Sequence, residues 1–142
     1  DNIPTNMDSE CYLHDGDILL SLTGNVGRVC FVYGGEYLLN QRVAKLVPLK
    51  EQNRAFVYFL FRQLEMQNQL INMAKGSAQP NLSPVETGKI EISIPSQDIL
   101  DKFNRLINPI YNQLIKNKKE NQKLTELRDL LLPKLMNGEI RV

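Results

Sequence analysis

Histidine and cysteine, which often do chemistry in proteins, are few in this sequence and lie within its first 30 residues. His14 is the only histidine, Asp15 and Asp17 flank a glycine just after it, and the two cysteines are Cys11 and Cys30. His14 has no serine or cysteine at the spacing of a catalytic motif, and the cysteines lack the spacing of zinc ligands. The Asp-Gly-Asp order is more typical of a turn than of an acid–base pair. We therefore predict no catalytic residue, no metal site and no cofactor, and expect a protein that is not an enzyme.

The glycines of GNVG, at positions 24–27, invite comparison with a phosphate-binding loop. Such a loop carries a Lys-Ser or Lys-Thr pair and opens a helix, whereas this segment has no such pair and precedes a predicted strand. We therefore predict a turn here rather than a nucleotide site.

The composition is that of an ordinary globular chain. Of 142 residues, 42% are apolar and 23% are charged, which allows one hydrophobic core. No apolar run approaches the ~20 residues that a membrane-spanning helix needs. Two scattered cysteines fit a reducing compartment, where disulfides are rare. We therefore expect a cytoplasmic protein that does not enter a membrane.

Hydrophobic periodicity and turn residues predict the elements that would position any binding residues. Ser83, Pro84 and Glu86 form a capping box that begins a short helical turn. Alternating runs predict strands at 16–24, 28–34, 37–49 and 90–95, and a change to helical period predicts a helix at 53–74 that Lys75-Gly76 ends. The fold class is therefore α+β, with a small antiparallel sheet and helices followed by a long C-terminal coiled-coil helix.

The last predicted helix, 97–137, carries a heptad pattern with two asparagines in it. Polar residues at such positions fix the register of a coiled coil at a cost in stability. A helix of ~40 residues is ~60 Å long, which exceeds what the preceding core could cover, so we expect part of this seam to pack on a partner. The simplest partner is a second copy related by two-fold symmetry. The seam consists of Leu100, Phe103, Ile107, Ile110, Leu114, Asn117, Asn121, Leu124 and Leu131.

Five stretches of the sequence carry a resemblance to a known family. In order, they are GDILLSLTGNVGRV (16–29), LNQRVAKLVP (39–48), GSAQPNLS (76–83), IEISIPSQD (90–98) and LTELRDLLLPKLMNGEIRV (124–142). They closely resemble the specificity subunits of type I restriction–modification systems. The last stretch is the most specific, and together the five span nearly all of the chain.

The resemblance implies a role in binding double-stranded DNA. In that family, two target-recognition domains are separated by two long helices that pair antiparallel and set the gap between the halves of a split target. The subunit does no chemistry, which methyltransferase and restriction subunits supply. Residues 1–95 would form a target-recognition domain without its first part, and residues 96–142 one spacer and dimerisation helix with a C-terminal tail. The chain would be either a piece of a longer protein or a half-subunit, which pairs as a homodimer and recognises a palindrome.

Side chains on loops and strand ends would make the DNA contacts that the resemblance implies. Arginine pairs with guanine, and asparagine or glutamine with adenine, so we expect base contacts from Asn25, Asn40, Gln41, Arg42, Gln79 and Asn81. Contacts to phosphates position a protein without specifying sequence, and we expect them from Arg28, Lys75 and Ser77.

Several of these side chains have an alternative, structural role. Asn25 could be only a turn residue, and Arg42 could pair with Glu36 or Asp17 across the sheet. Gln41 and Arg42 are adjacent on a predicted strand, so they would face opposite sides. The main alternative for the whole chain is a coiled-coil assembly module with a vestigial or incomplete recognition domain. Such a module would show no sequence preference and no salt-dependent DNA binding.

Overall fold

The structure, a computed structural model, describes residues 8–74 and 80–140. These residues form a three-stranded antiparallel sheet, a separate two-stranded pair, two short 3-10 helices and four α-helices, of which the last has 40 residues. The strands are β1 (Tyr12–Leu13), β2 (Ile18–Ser21), β3 (Val29–Phe31), β4 (Tyr37–Leu38) and β5 (Val43–Leu46). The helices are α1 (Arg54–Phe61), α2 (Leu64–Met73), α3 (Pro84–Thr87) and α4 (Gln97–Met136). The predicted α+β class, with a small sheet followed by a long C-terminal helix, is confirmed.

The three-stranded sheet is built around β2, which pairs antiparallel with β3 on one side and with β5 on the other. Leu19 lies opposite both Cys30 and Lys45 in these registers. Ile18 and Leu20 are buried whereas Leu19 is half-buried, because successive side chains of a strand point to opposite faces. β1 and β4 pair with each other beside this sheet.

The prediction of one strand over 37–49 is wrong, because a turn divides it into β4 and β5. The side chain of Asn40 makes this turn. Its Oδ1 accepts a hydrogen bond from the backbone N–H of Arg42 at 2.9 Å, and its carbonyl oxygen accepts one from Val43 at 3.3 Å. Asparagine side chains compete with strand ladders in this way. The polar interruption of the apolar run is therefore a turn.

The prediction of one helix over 53–74 is also wrong, because Gln63 adopts an extended backbone with φ −62° and ψ 140° between α1 and α2. The break changes which face of the second helix meets the core. Met66, Leu70 and Ala74 are buried, whereas Leu64, which shares the apolar period of the sequence, is 71% exposed. The predicted cap at Lys75-Gly76 lies outside the described residues.

Two predictions in the segment before α4 have opposite outcomes. The predicted N-cap is confirmed, since the Ser83 hydroxyl accepts a hydrogen bond from the Glu86 N–H, one of the two bonds of a capping box, and Pro84 begins α3. The strand predicted at 90–95 is wrong, since these residues form no ladder. β2 already has a strand on each side, and the alternation of Ile90 and Ile92 corresponds to half-buried side chains that pack against the core.

The hydrophobic core joins the three-stranded sheet to α1, α2 and α4. Its fully buried side chains include Leu20 from β2, Leu70 from α2, Leu82 from the segment before α3 and Tyr111 from α4. The ring of Tyr111 lies 5.1 Å from that of Tyr58 in α1, centroid to centroid. Burying one large apolar side chain contributes ~1.5–3 kcal/mol. The first part of α4 is therefore a component of the core and not an appendage.

α4 packs on the domain along one face, and most of the contacting positions lie one residue after a position of the predicted seam. They step by three and four positions, as neighbouring residues on one helix face do. The contacting residues are Asn104, Asn108, Tyr111, Ile115, Lys119 and Gln122.

This packing separates the predicted seam into two groups. Leu100 is buried, Phe103 packs edge-on against Phe56, and Ile107 packs against the core. These three side chains contact the chain's own domain and are not open to a partner. Of the remaining six, Leu131 is half-buried and the exposed ones are Ile110, Leu114, Asn117, Asn121 and Leu124. Pairing through those residues stays a prediction.

Candidate nucleic-acid interface

Two arginines flank the end of β2 in the three-stranded sheet, Arg28 on the side of β3 and Arg42 on the side of β5. The Ser21 N–H donates a hydrogen bond to the carbonyl oxygen of Arg28, and the Leu22 N–H donates one to that of Arg42, each at 2.8 Å. Both arginine side chains are exposed. Within residues 8–74 and 80–140, neither arginine forms an ion pair. This end of the sheet therefore carries two positive charges that the described residues do not neutralise.

Asn81 joins the same end of the sheet through the backbone. It forms an isolated antiparallel bridge with Thr23, and the Leu82 N–H donates a hydrogen bond of 2.9 Å to the carbonyl oxygen of Leu22. The sequence predicted a contact role for Asn81 but did not reveal Thr23 beside it, because a bridge between distant segments leaves no local signal.

Asn25 lies in the loop between β2 and β3. Its carbonyl oxygen accepts a hydrogen bond from the Arg28 N–H at 3.3 Å, so its backbone closes a turn. Its side chain is exposed and has no hydrogen bond to any residue that the structure describes. Both the turn role and a contact role remain compatible with this arrangement.

The turn at 40–42 changes two expectations. Gln41 and Arg42 stand in a turn and both are exposed, so the expectation that a strand would separate them onto opposite faces is wrong. The Asn40 side chain is occupied by its hydrogen bond to the Arg42 N–H. Asn40 therefore has a structural role through its Oδ1, its contact with DNA stays a prediction, and Gln41 and Arg42 are exposed.

We call this surface the recognition edge. It consists of Thr23, Asn25, Arg28, Gln41, Arg42 and Asn81. The remaining predicted contact residues, Lys75, Ser77 and Gln79, lie outside the described residues.

The loop that bears Asn25 and Arg28 is fixed to α2 by a glycine. Gly27 has φ +79°, and a Cβ at this position would lie 3.3 Å from the Cβ of Leu70. Its neighbour Val26 is buried. Glycine accepts the left-handed backbone and the close approach. The exposed side chains of the recognition edge are therefore carried by an ordered loop, which lowers the entropy that a bound ligand would cost.

The acidic pair of the sequence lies at the opposite end of β2. Asp17 is buried, and its Oδ2 accepts hydrogen bonds from the His14 N–H at 2.8 Å and from Lys45 Nζ at 2.7 Å. Asp15 accepts a hydrogen bond from the Gly34 N–H at 2.8 Å and pairs with Lys119. Asp17 is thus paired with Lys45 and not with Arg42, and both carboxylates have structural partners, as the turn prediction implied.

Electrostatics differ between the two ends of the sheet. Lys119 and the Gly34 N–H hold the pKa of Asp15 below its ordinary value, because both stabilise the charged carboxylate. The arginines of the recognition edge have no such partner among the described residues. An anionic ligand would be attracted to the arginine end of the sheet.

No group of three or more histidine, cysteine, aspartate and glutamate residues within 8–74 and 80–140 is arranged to hold a metal ion. In the same part of the chain, no helix combines the length and the apolarity that crossing a bilayer requires.

Comparison with known proteins gives concordant matches. Residues 3–127 match the family model of the type I restriction modification DNA specificity domain. The specificity subunit of the type I restriction enzyme HindI from Haemophilus influenzae is 35% identical over 139 residues, which are 97% of this chain and 30% of that protein. That of MjaIX from Methanocaldococcus jannaschii is 33% identical over an alignment of 133 residues, which covers 83% of this chain and 30% of that protein. The chain thus spans about 30% of the length of these curated relatives.

Proposed function

The chain belongs to the family of type I restriction–modification DNA specificity domains, and we propose that it recognises one half of a split DNA target for such a system. In this proposal the chain binds double-stranded DNA and catalyses no reaction, while methyltransferase and restriction subunits supply the chemistry. The observation that supports it most directly is the recognition edge, where Arg28 and Arg42 flank the end of β2 and neither has an ion-pair partner among the described residues.

The residues of the recognition edge divide by chemistry into two roles. Arg42, with its two-pronged guanidinium, suits the O6 and N7 acceptors of guanine, and the amides of Gln41 and Asn81 suit adenine. Arg28 suits a phosphate, which fixes the position of the protein on the duplex. Asn25 lies in the same loop as Arg28 and serves as a further amide donor and acceptor. Lys75, Ser77 and Gln79 belong to the same proposal by their place in the sequence between α2 and Asn81.

The long helix would act as the spacer of the assembly. α4 is docked on the domain through Gln122 and continues to Met136 with exposed leucines. We assign residues 1–95 to the recognition domain and residues 96–142 to the spacer helix with its tail. If the chain works as a half-subunit, a second copy pairs through Ile110, Leu114 and the residues after them, and two identical domains then recognise a palindrome.

The alternative is an assembly module whose recognition domain is vestigial or incomplete, and the exposed apolar residues of α4 favour it. Salt titration of DNA binding separates the two functions. Phosphate contacts release counterions, so log Kobs falls linearly with log salt concentration in proportion to the number of contacts. We expect this slope for the chain in complex with its methyltransferase partner on target DNA. DNA binding that depends on neither the salt concentration nor the DNA sequence would contradict DNA recognition and favour the assembly module.

A matched pair of variants makes this experiment specific. Arg28→Gln should weaken binding to all sequences alike and reduce the salt slope by about 1, whereas Arg42→Gln should relax sequence preference at one base position. Lys102→Gln, an exposed charge near the start of α4, is the control and should change neither quantity.

A further inference from the structure

α4 contacts the loop of residues 14–17 at Gly16. The Tyr111 hydroxyl donates a buried hydrogen bond of 3.1 Å to the carbonyl oxygen of Gly16. Gly16 has φ +85°, and a Cβ there would lie 2.9 Å from Arg54 Nη1 and 3.3 Å from Ile115 Cδ1. The helix is therefore held against this loop at a defined distance.

Two turns further along, α4 is held by a closed set of polar contacts. Lys119 pairs with Asp15, and the other oxygen of Asp15 accepts a hydrogen bond from the Gly34 N–H at 2.8 Å. The Nε2 of Gln122 donates to the Gly34 carbonyl oxygen at 3.1 Å. We call Asp15, Gly34, Lys119 and Gln122 the polar ring. These contacts hold the helix at Lys119 and Gln122, and they resist both rotation about the helix axis and tilting.

The polar ring contains the last hydrogen bond, among the described residues, between α4 and another element. Among the described residues, Gln122 is the last residue of α4 that hydrogen-bonds to another element, since the bonds of Thr125 and Arg128 stay within the helix. The part of α4 beyond it is ~21 Å long at 1.5 Å per residue. A tilt of ~10° at the ring would displace the end of that arm by ~4 Å, about one base-pair rise of 3.4 Å.

We propose that the polar ring fixes the direction in which α4 leaves the recognition domain, and that Lys119 and Gln122 are positioning residues for the gap between two half-sites. The part about the gap rests on the proposed function, whereas the part about direction does not. Neither residue needs to contact DNA, because each acts through the direction of the helix. A single permitted gap requires a joint stiff enough to hold that direction within about one base pair.

Distances between spin labels test the joint without DNA. In a background of Cys11→Ser and Cys30→Ser, labels at Asn68→Cys on α2 and Lys134→Cys near the end of α4 report the direction of the helix; both sites are exposed. Dilution with unlabelled chain removes distances between copies. We expect one narrow distribution for this background and a broader one after Lys119→Met with Gln122→Ala. Lys119→Arg alone keeps the charge and should keep the distribution narrow. The control is Lys118→Met, at an exposed lysine next to Lys119, which should leave the distribution unchanged. An unchanged distribution in the double variant would overturn the proposal.

The gap is tested in the complex with the methyltransferase partner, on DNA in which the spacing of the half-sites varies in steps of one base pair. We expect methylation at one spacing for the unmodified chain, and at the neighbouring spacings as well for Lys119→Met with Gln122→Ala, with the half-site sequences unchanged. If the double variant broadens the distribution of label distances but methylates at the same half-site spacing as the unmodified chain, the role of Lys119 and Gln122 as positioning residues is overturned. Complete absence of sequence-specific methylation by the unmodified chain would instead contradict the proposed function, and the label distances would still decide whether the ring fixes the helix.

Discussion

The side-chain amide of Asn104, buried in the middle of the docked part of α4, donates a hydrogen bond of 2.7 Å to the Oδ1 of Asn53. Asn53 precedes α1, and 51 residues separate the two partners in the chain. A polar pair buried at a helix interface restricts the register, because sliding the helix would leave both amides without partners. The contact therefore fixes where along α4 the recognition domain sits.

Asn53→Ala should destabilise the fold by about 1–3 kcal/mol, because it leaves the buried Asn104 amide donor without a partner. Unfolding in urea measures the change. Asn108→Ala removes a comparable but exposed hydrogen bond from α4 to the Gln52 carbonyl oxygen and should cost less. Equal losses from the two variants would show that the burial of Asn104 is not what makes its hydrogen bond important.

The loop of the recognition edge offers a matched pair of glycines. Both Gly27 and Gly24 have positive φ, +79° and +68°, but only Gly27 has neighbours, since a Cβ at Gly24 meets nothing within 4 Å. Gly24→Ala should therefore cost only the left-handed strain of ~1–2 kcal/mol. Gly27→Ala adds a clash with Leu70 and should cost more, as the midpoint of urea unfolding would report. A larger loss for Gly24→Ala would contradict this packing.

Acid should weaken the hold of the domain on α4. The folded pKa of Asp15 lies below the ordinary value of 3.8, chiefly because of the hydrogen bond from Lys119 and then that from Gly34. A lowered folded pKa adds stability that is fully present above the unfolded pKa and is lost as pH falls through the folded one. Unfolding free energy measured from about pH 6 to about pH 2 should therefore fall less steeply for Lys119→Met than for the unmodified chain. Parallel curves would show that the pair does not contribute.

Self-association should depend on the exposed part of α4. Leu114 and Leu124 are 38% and 57% exposed, so Leu114→Asp with Leu124→Asp should abolish any dimer without unfolding the domain, as sedimentation would show. Asn117→Leu with Asn121→Leu should strengthen pairing and loosen its register. The control is Leu100→Val, because Leu100 is buried in the chain's own core; it should reduce stability but leave the mass of the assembly unchanged. A mass unaffected by the aspartate pair would refute the dimer.

The sequence revealed features that local chemistry determines. Ser83, Pro84 and Glu86 predicted the start of α3, and the long apolar period of 97–137 predicted α4, because capping and helical amphipathicity depend on residues a few positions apart. The turn role of Asp15 and Asp17 followed from the glycine between them. The candidate residues Arg28, Arg42 and Asn81 came from residue type, but their convergence on one end of β2 depends on hydrogen bonds between distant segments.

Part of the docked face of α4 was hidden because the contacts there are polar. Asn104, Lys119 and Gln122 contact the domain through hydrogen bonds and an ion pair, so a search for apolar periodicity passes over them. The heptad series contacts the domain at Leu100, Phe103 and Ile107, and its next residues, Ile110 and Leu114, are exposed.

Methylome sequencing tests the central claim most directly. Cells would express the chain with its partner methyltransferase, and matched cells would express the Arg42→Gln or Lys102→Gln variant instead. The proposal predicts methylation at one recurrent split sequence, with the sequence preference relaxed at one position by Arg42→Gln and unchanged by Lys102→Gln. Methylation at no recurrent sequence would contradict recognition of DNA through the end of the sheet where β2 finishes. A recurrent methylated sequence that stays the same in the Arg42→Gln variant would contradict it as well.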